Sequence, residues 1–342
     1  MTNKNTQIKH FEIVPSLTKL VKILLYIPIQ IIFIPFMIIG IMVAVYKEMR
    51  RSKQLGVSFS AIKALQYRWM MHYFNTRPDP ISVAFVKKFP CESHFGMWTT
   101  MGALIISVRL TGFPALLGKL VERGFESGET TAGIRVLMFD KIMEKYVDKV
   151  EQIVLPGAGF DLIALNFTKG KNVKVFELDQ LNTLNIKVET LKKAGIEHDW
   201  VTYIPVDYAN ESWVDKLVDA GFDKTKKTLF LWQSVSLYLD ADLVKATLRD
   251  MSDLCVEGSV IAQDFYSARF ASGEYSKSAK KFLSIIEKMG EPAKFGIDMS
   301  SDPKETVELF LKKSGLNMIE YIQFGEKLDI EPFYCIVEAE KL

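Results

Sequence analysis

The stretch that most restricts the fold of this chain is an apolar segment that ends in two closely spaced glycines. It reads Ile153-Val154-Leu155-Pro156-Gly157-Ala158-Gly159-Phe160-Asp161, and apolar residues at helical spacing follow it. This pattern is typical of a strand, a tight turn and a helix in a parallel α/β sheet. Because Gly157 and Gly159 carry no Cβ atom, backbone N–H groups in such a turn can approach a ligand closely. Taken alone, the stretch fits either a nucleotide-type site or an ordinary turn.

Further strand-like segments follow at a regular rhythm, with helical patterns between them. The strand-like segments are residues 173–179, 201–207, 228–234, 259–265 and 333–339. The helical patterns are residues 181–194, 213–220, 241–254 and 278–289. Alternation of this kind predicts an open, doubly wound parallel α/β sheet.

Acidic residues stand at the ends of the second and third strand-like segments. These residues are Glu177, Asp179 and Asp207. In open α/β sheets, ligands bind beyond the carboxyl ends of the strands. A carboxylate there can accept hydrogen bonds from ribose hydroxyls or from an exocyclic amine. Together with the Gly-x-Gly turn, these residues predict a nucleoside-containing cofactor.

Two nucleoside-containing cofactors fit this pattern, NAD and S-adenosylmethionine. The NAD fingerprint needs a third glycine for close helix–strand packing, but Leu162 occupies that position. S-adenosylmethionine has no phosphate, and its carboxylate needs a cation, for which Arg135 is available. A short-chain oxidoreductase would also need a Tyr-x-x-x-Lys pair, yet Asp207 and Asp242 stand four residues after Tyr203 and Tyr238. An NAD-dependent oxidoreductase and a non-catalytic, membrane-tethered scaffold remain the alternatives.

Residues 23–46 contain no charged side chain, and Gln30 is the strongly polar residue among them. As a helix at about 1.5 Å per residue this segment reaches about 36 Å, against about 30 Å for a hydrocarbon core. We therefore predict a single transmembrane helix, and the excess of basic residues after it predicts a catalytic domain facing the cytosol. A re-entrant hairpin broken at Pro28 and Pro35 is the alternative. The predicted divisions are a tail (1–22), the anchor (23–46), a helical connector or lid (47–130) and the catalytic domain (131–342).

Composition excludes several classes of partner. The 43 basic and 41 acidic side chains nearly balance, so nothing points to nucleic acid. Cys91, Cys255 and Cys335 are far apart, and the four histidines form no H-x-x-x-H pair. We therefore predict neither a disulfide framework nor a metal site.

Several ordered motifs resemble the leucine carboxyl methyltransferase family, over roughly residues 130 to 340. They are Arg135 to Asp140, the Gly-x-Gly turn with Asp161, the Phe-Glu-Leu-Asp segment that ends at Asp179, the Pro-Val-Asp-Tyr segment that ends at Tyr208, and residues 229–239. The resemblance implies a class I methyltransferase sheet, which is Rossmann-like, and S-adenosylmethionine as cofactor. It implies that Arg135 holds the cofactor carboxylate, that Asp179 and Glu177 lie at the ribose, and that Asp207 and Tyr208 flank the adenine.

The sequence departs from this family at two places near the turn. The family usually has Glu where this chain has Gln233, and Thr-Arg where it has Leu162-Ile163. The resemblance implies that Gln233 can hydrogen-bond the cofactor, but an amide cannot serve as a base. Tyr238 and Asp264 are predicted near the active edge of the sheet, and we assign neither a catalytic role. The sequence favours an acidic or already activated acceptor, which can be a small molecule, a lipid or a protein carboxylate.

Overall fold

The structure is a computed structural model that describes residues 17–112, 121–128, 130–208 and 210–342. Most of the predicted N-terminal tail, residues 1–16, lies outside the described residues. The described residues of the C-terminal part of the chain form a seven-stranded sheet in the order β3-β2-β1-β4-β5-β7-β6. The strands are β1 (Gln152–Pro156), β2 (Lys174–Asp179), β3 (Val201–Pro205), β4 (Thr228–Trp232), β5 (Val260–Tyr266), β6 (Leu316–Gln323) and β7 (Tyr334–Lys341).

Helices precede the sheet and cover both of its faces. Before β1 come α1 (Leu17–Leu55), α2 (Phe59–Tyr73), α3 (Pro80–Lys88), α4 (His94–Thr111) and α5 (Thr131–Tyr146). Between strands lie α6 (Ile163–Thr168), α7 (Leu181–Ala194), α8 (Trp213–Asp219), α9 (Ala241–Leu254), α10 (Ala268–Ala271), α11 (Lys277–Lys288) and α12 (Pro303–Lys312). A 3₁₀ turn, Ser236–Tyr238, follows β4.

Two hydrophobic cores lie on opposite faces of the sheet, because successive side chains of a strand point in opposite directions. Ile153 and Leu155 of β1 pack in the core shared with α5, α6 and α7. Val154 packs in the other core, with α8, α9 and α12. Every residue of β1 and β4 is buried, as expected for strands covered on both faces. The predicted α/β fold class is confirmed.

The sheet differs from the prediction at one edge. Strands β1 to β5 are parallel, but β7 pairs antiparallel with both β5 and β6. The short connection between β6 and β7 carries no helix, and a parallel pairing needs a crossover of about a dozen residues or more. Strand β6 itself was not predicted. As an edge strand it is only half-buried, and Asn317, Glu320 and Gln323 interrupt its apolar pattern.

Helix α1 is continuous through Pro28 and Pro35, so the hairpin alternative is not what the structure shows. Among the described helices, α1 alone has the length and apolar composition needed to cross a membrane. Helix α4 packs along it in the opposite direction. The Gln30 amide donates to Ser107 Oγ at 2.7 Å. A Cβ atom on Gly40 would lie 2.7 Å from the backbone nitrogen of Thr100, so the two helices are in close contact there.

Buried ion pairs fix α2 and α3 to α5, which packs on the sheet. Arg77, between α2 and α3, pairs with Asp79 and with Asp140 of α5. Its Nη2 lies 2.9 Å from Asp140 Oδ1. Asp79 also accepts a hydrogen bond from Ser82 N at 2.9 Å and thereby caps α3. Removing one partner would leave a buried charge uncompensated, so these contacts hold α2 and α3 against α5.

Candidate cofactor and acceptor site

A cavity of about 1280 Å³ lies at the carboxyl ends of the strands. It opens where the strand order reverses between β1 and β4, which is where open α/β sheets bind ligands. Its volume exceeds the range of about 300–1,000 Å³ that is usual for a single small-molecule site. Its wall combines loops of the sheet with the end of α1, the start of α2, and α11.

The glycine turn forms one wall of the cavity. Gly157 has φ +70° and Gly159 has φ +50°, a region that residues with a Cβ atom adopt rarely. A Cβ atom on Gly157 would lie 2.6 Å from a methyl carbon of Val235. Gly157 therefore needs to be glycine for reasons of both backbone angle and space.

Asp179 ends β2 and faces the same cavity. Its Oδ2 accepts from the N–H of Gly159 at 2.7 Å, and its Oδ1 accepts from the N–H of Gln180 at 2.7 Å. Burial raises the pKa of Asp179 above its ordinary value, and these two N–H groups oppose that rise. Each carboxylate oxygen has a second acceptor site. The side chain can thus bond the turn and a pair of ligand hydroxyls at once.

Arg135 projects from α5 into the site and is 8% exposed. It donates to Ser234 Oγ and, at 3.4 Å, to the hydroxyl of Tyr266. Among the described residues it forms no ion pair, since no carboxylate oxygen lies within 4.0 Å of its guanidinium. The opposite charge of Asp264 acts on Arg135 through the Ser234 hydroxyl that both side chains bond, and not by direct contact. A buried charge without a directly bonded counter-ion is costly. The position therefore suits the carboxylate of a bound ligand.

Gln233 lies between Arg135 and Asp161. With its amide oriented so that both polar atoms are bonded, it accepts from Arg135 Nε at 3.2 Å and donates to Asp161 Oδ2 at 3.1 Å. Asp161 also accepts from Arg68 Nη2 at 2.8 Å. Burial favours the neutral form of Asp161, but Arg68 and the N–H of Ile163 lower its pKa below the ordinary value. The contacts of Gln233 are therefore to protein groups that shape the site.

Asp207 and Tyr208 follow β3 and line the cavity beside the turn. Asp207 is exposed, and its Oδ2 accepts from Asn210 Nδ2 at 2.8 Å. The Tyr208 hydroxyl accepts from the N–H of Gly157 at 3.2 Å. Burial raises the pKa of Tyr208, so its hydroxyl stays protonated. The structure thus brings Arg135, Gly157, Gly159, Asp179, Asp207, Tyr208 and Gln233 to one cavity.

Glu177, predicted at the ribose, does not line the cavity. Its side chain is completely buried and pairs with Lys187 Nζ at 2.5 Å. Lys187 also donates to the backbone oxygen of Asp161 at 2.5 Å. Burial raises the pKa of Glu177, and Lys187 opposes that rise. Glu177 therefore supports the glycine turn from beneath, through Lys187.

Ser234 was not singled out from the sequence, although it is central to the site. It is one of two described residues other than glycine with positive φ, at +58°. Asp264 holds it in place by accepting from its N–H at 2.7 Å and from its hydroxyl at 3.0 Å. Asp264 also accepts from the Tyr334 hydroxyl at 2.5 Å and is almost fully buried. Asp264 is thus a structural support, and no local sequence signal marks Ser234.

The roof of the cavity is closed by a contact between distant parts of the chain. Glu291, after α11, accepts from the N–H of Ser60 at 3.1 Å and from the N–H of Phe59. These N–H groups are at the first turn of α2, where helices lack internal acceptors. Tyr238 lines the cavity nearby, and burial raises the pKa of its hydroxyl.

A model of the leucine carboxyl methyltransferase family matches residues 114–252. A protein of Mycobacteroides abscessus, provisionally named an S-adenosyl-L-methionine-dependent methyltransferase, is 31% identical over 54% of this chain and 60% of its own length. YktD of Bacillus subtilis, with the same provisional name, is 27% identical over 50% of this chain and 56% of its own. The chain therefore spans little more than half the length of these relatives.

Solved structures show a remote likeness. The mitomycin 7-O-methyltransferase MmcR aligns with a TM-score of 0.42 and 14% identity, over 62% of this chain and 56% of its own. Magnesium protoporphyrin IX methyltransferase from Synechocystis, solved with bound SAH, aligns with a TM-score of 0.39 and 10% identity, over 61% and 81% of the two chains.

The family match includes α5, the glycine turn and the strand ends that form the cofactor side of the cavity. The predicted resemblance is confirmed, and the names of both relatives include S-adenosyl-L-methionine, the predicted cofactor. Over residues 114–252 this chain is similar to the leucine carboxyl methyltransferase family.

Proposed function

We propose that this protein is a membrane-attached, S-adenosylmethionine-dependent methyltransferase. The observation that carries the proposal is Arg135, a buried guanidinium that faces the cavity without an ion-pair partner among the described residues. The carboxylate of the methionine part of the cofactor supplies a directly bonded anion, in addition to Asp264 behind Ser234. Gln233 and Ser234 fix the guanidinium, so the carboxylate meets a preformed donor.

The remaining contacts divide along the cofactor. Gly157 and Gly159 let its middle part lie close to the backbone, Asp179 accepts from the ribose hydroxyls, and Asp207 and Tyr208 lie beside the adenine. The bound cofactor supplies an electrophilic methyl group on a sulfonium sulfur. The role of the chain is to align an acceptor with that group and to exclude water.

We propose a carboxylate as the acceptor group, carried on a small or lipid-like molecule or on a protein. No histidine or cysteine lines the described part of the cavity. All five carboxylates of its described lining have hydrogen-bond or ion-pair partners: Asp161 has Arg68, Asp179 has two N–H groups, Asp207 has Asn210, Asp240 has Lys294, and Glu291 has the start of α2. The site thus offers no free general base, and an ionised carboxylate needs none.

The proposed location is a membrane, with the catalytic domain on the cytosolic side. Helix α1 provides the attachment, and Lys47, Arg50 and Arg51 follow its uncharged part on the side of the catalytic domain. An excess of basic residues marks the cytosolic end of a membrane helix.

Isothermal titration of the full-length protein in lipid nanodiscs, with S-adenosylmethionine and separately with NAD, tests the proposal. We expect binding of S-adenosylmethionine alone. Arg135→Ala removes a charged hydrogen-bond donor and should weaken that binding by about tenfold or more. Arg249→Ala, which removes an exposed arginine outside the cavity, is the matched control. Binding of NAD, or equal affinities of the two variants, contradicts the proposal.

A further inference from the structure

We infer that the acceptor is an amphiphile whose hydrocarbon chain enters the cavity from the membrane, between the C-terminal end of α1 and α11. The identity of the transferred group rests on the proposed function. The position of the hydrocarbon chain is inferred from the residues that form the wall of the cavity.

Helix α1 forms part of this wall. Val45, Met49, Ser52 and Lys53 all line the cavity. Val45 and Met49 are four residues apart and therefore lie on one face of the helix. Val45 belongs to the uncharged segment that is suited to the bilayer, and Lys53 lies beyond it. The same helix thus contacts lipid along its length and the acceptor space at its end.

Helix α11 contributes an apolar stripe to the same cavity. Phe282, Ile285 and Met289 line it at helical spacing. Phe282 and Ile285 are 38% and 39% exposed, although other apolar residues of this helix, such as Ile286, are buried. Large apolar side chains that stay exposed in a cluster mark a binding surface.

The outer surface of α11 is mainly basic, with four lysines against one exposed carboxylate, Glu287. Its four lysines, Lys277, Lys280, Lys281 and Lys288, are all exposed and form no ion pair with a described residue. A helix with lysines on one side and bulky apolar residues on the other is typical of the membrane interface, where the lysines meet anionic headgroups. This places the mouth between α1 and α11 at the level of the headgroups.

The cavity has room for both ligands. Its cofactor side is lined by polar groups of the strand ends, whereas the side formed by α1 and α11 is mainly apolar. The total volume of about 1280 Å³ is larger than one small ligand needs. A hydrocarbon chain fits the apolar side because it leaves no polar atom there unbonded.

Photo-crosslinking tests this inference on the full-length protein in lipid nanodiscs. The probe is palmitic acid with a diazirine in mid-chain, and the labelled peptides are identified by mass spectrometry. We expect label on the segments of Met49 and Phe282, displaced by excess palmitic acid and not by butanoic acid. Phe282→Asp should reduce this labelling by about tenfold. Leu309→Asp, at an exposed leucine of α12 outside the cavity, should leave it unchanged.

S-adenosylmethionine titration of the same samples separates this inference from the proposed function. Normal cofactor binding by Phe282→Asp, together with lost labelling, supports the acceptor site. Labelling of the cavity without any cofactor binding also supports a site for the hydrocarbon chain, but it contradicts the methyltransferase proposal. Label confined to other faces of α1 and α4, unchanged by Phe282→Asp, overturns the inference. If thermal unfolding shows that the Phe282→Asp variant is not folded, the Ile285→Asp variant is used in its place.

Discussion

At the scale of single residues, the glycine turn shows how space and backbone angle act together. Gly157 and Gly170 have nearly the same positive φ, +70° and +74°. A Cβ atom on Gly157 would meet Val235, a β-branched side chain with little freedom to move, whereas none of the surrounding atoms lies within 4 Å of a Cβ on Gly170. Substitution of Gly157 therefore adds a steric clash to the backbone strain, whereas substitution of Gly170 causes the backbone strain alone.

We therefore predict that Gly157→Ala lowers the affinity for S-adenosylmethionine by about tenfold and the free energy of unfolding by about 1–3 kcal/mol. Gly170→Ala carries only the strain of its backbone angle and should leave cofactor affinity unchanged. Titration calorimetry and thermal unfolding measure the two effects. Equal losses of affinity in both variants would show that the contact with Val235 is unimportant.

The sequence predicted those site residues whose role depends on a local motif. Gly157, Asp179 and Asp207 follow strands in a recognisable order, so their meeting at one sheet edge could be expected. Arg68 and Lys187 could not be found this way, because each acts on Asp161 from another helix. Glu177 shares the motif of Asp179 and, two residues before it in β2, lies on the same face of the strand. It lies further from the carboxyl end, where Lys187 from α7 pairs with it, and the motif alone does not reveal that contact.

At the scale of helices, two buried carboxylates meet where α1, α2 and the loop before α4 join. The Gln66 amide donates to Glu92 Oε1 at 2.6 Å and to Glu48 Oε2 at 3.4 Å. Burial, and next the charge of Glu48, raise the pKa of Glu92 from 4.5 to about 8. Below that pH the native protein keeps a proton on Glu92.

We predict that the free energy of unfolding falls as pH rises from about 4.5 to about 8, because the unfolded chain releases this proton and the native chain retains it. The stabilisation by the bound proton is fully present below the ordinary pKa of 4.5 and is lost as the pH rises through the native pKa of about 8. Glu92→Gln should remove this dependence and raise the Tm at pH 9 relative to the unaltered protein. Glu257→Gln, at an exposed glutamate, should change neither. Thermal unfolding at pH 6 and pH 9 decides the matter.

Helix periodicity was sufficient to predict α7 and α9, whose bounds match the predicted 181–194 and 241–254. Their apolar faces pack on the sheet, so their sequences are strongly patterned. Strand β6 was missed because an edge strand has one neighbour and buries few residues. The antiparallel orientation of β7 follows from its insertion between β5 and β6, and the strand order that results from tertiary contacts is not visible in the sequence of β7.

At the scale of the whole molecule, α1 and α4 connect the proposed membrane attachment to the catalytic domain. Helix α1 packs on α4, and α4 packs on the core through Met97 and Ile105. Small residues at a helix contact let the backbones approach, as membrane helices often require. Gly40 is such a residue, since its Cβ position is occupied by Thr99 and Thr100 of α4.

We predict that Gly40→Val lowers the free energy of unfolding by about 1–3 kcal/mol, because the larger side chain forces the two helices apart. Membrane association should persist, since the apolar length of α1 is unchanged. Met42→Val, at an exposed position of the same helix, is the control. Thermal unfolding and flotation with liposomes measure the two properties. Loss of flotation in Gly40→Val would mean that membrane association depends on the helix pair.

The contact of Glu291 with the start of α2 has a consequence for biosynthesis. The carboxylate and the N–H of Phe59 that it bonds are 232 positions apart in the chain. If α1 enters the bilayer as proposed, it can do so before residue 291 has been synthesised, whereas the roof of the cavity cannot close until then. In the proposed arrangement a nascent chain is therefore attached to the membrane before its cavity is complete, because α11, which forms part of the apolar wall, is also synthesised late.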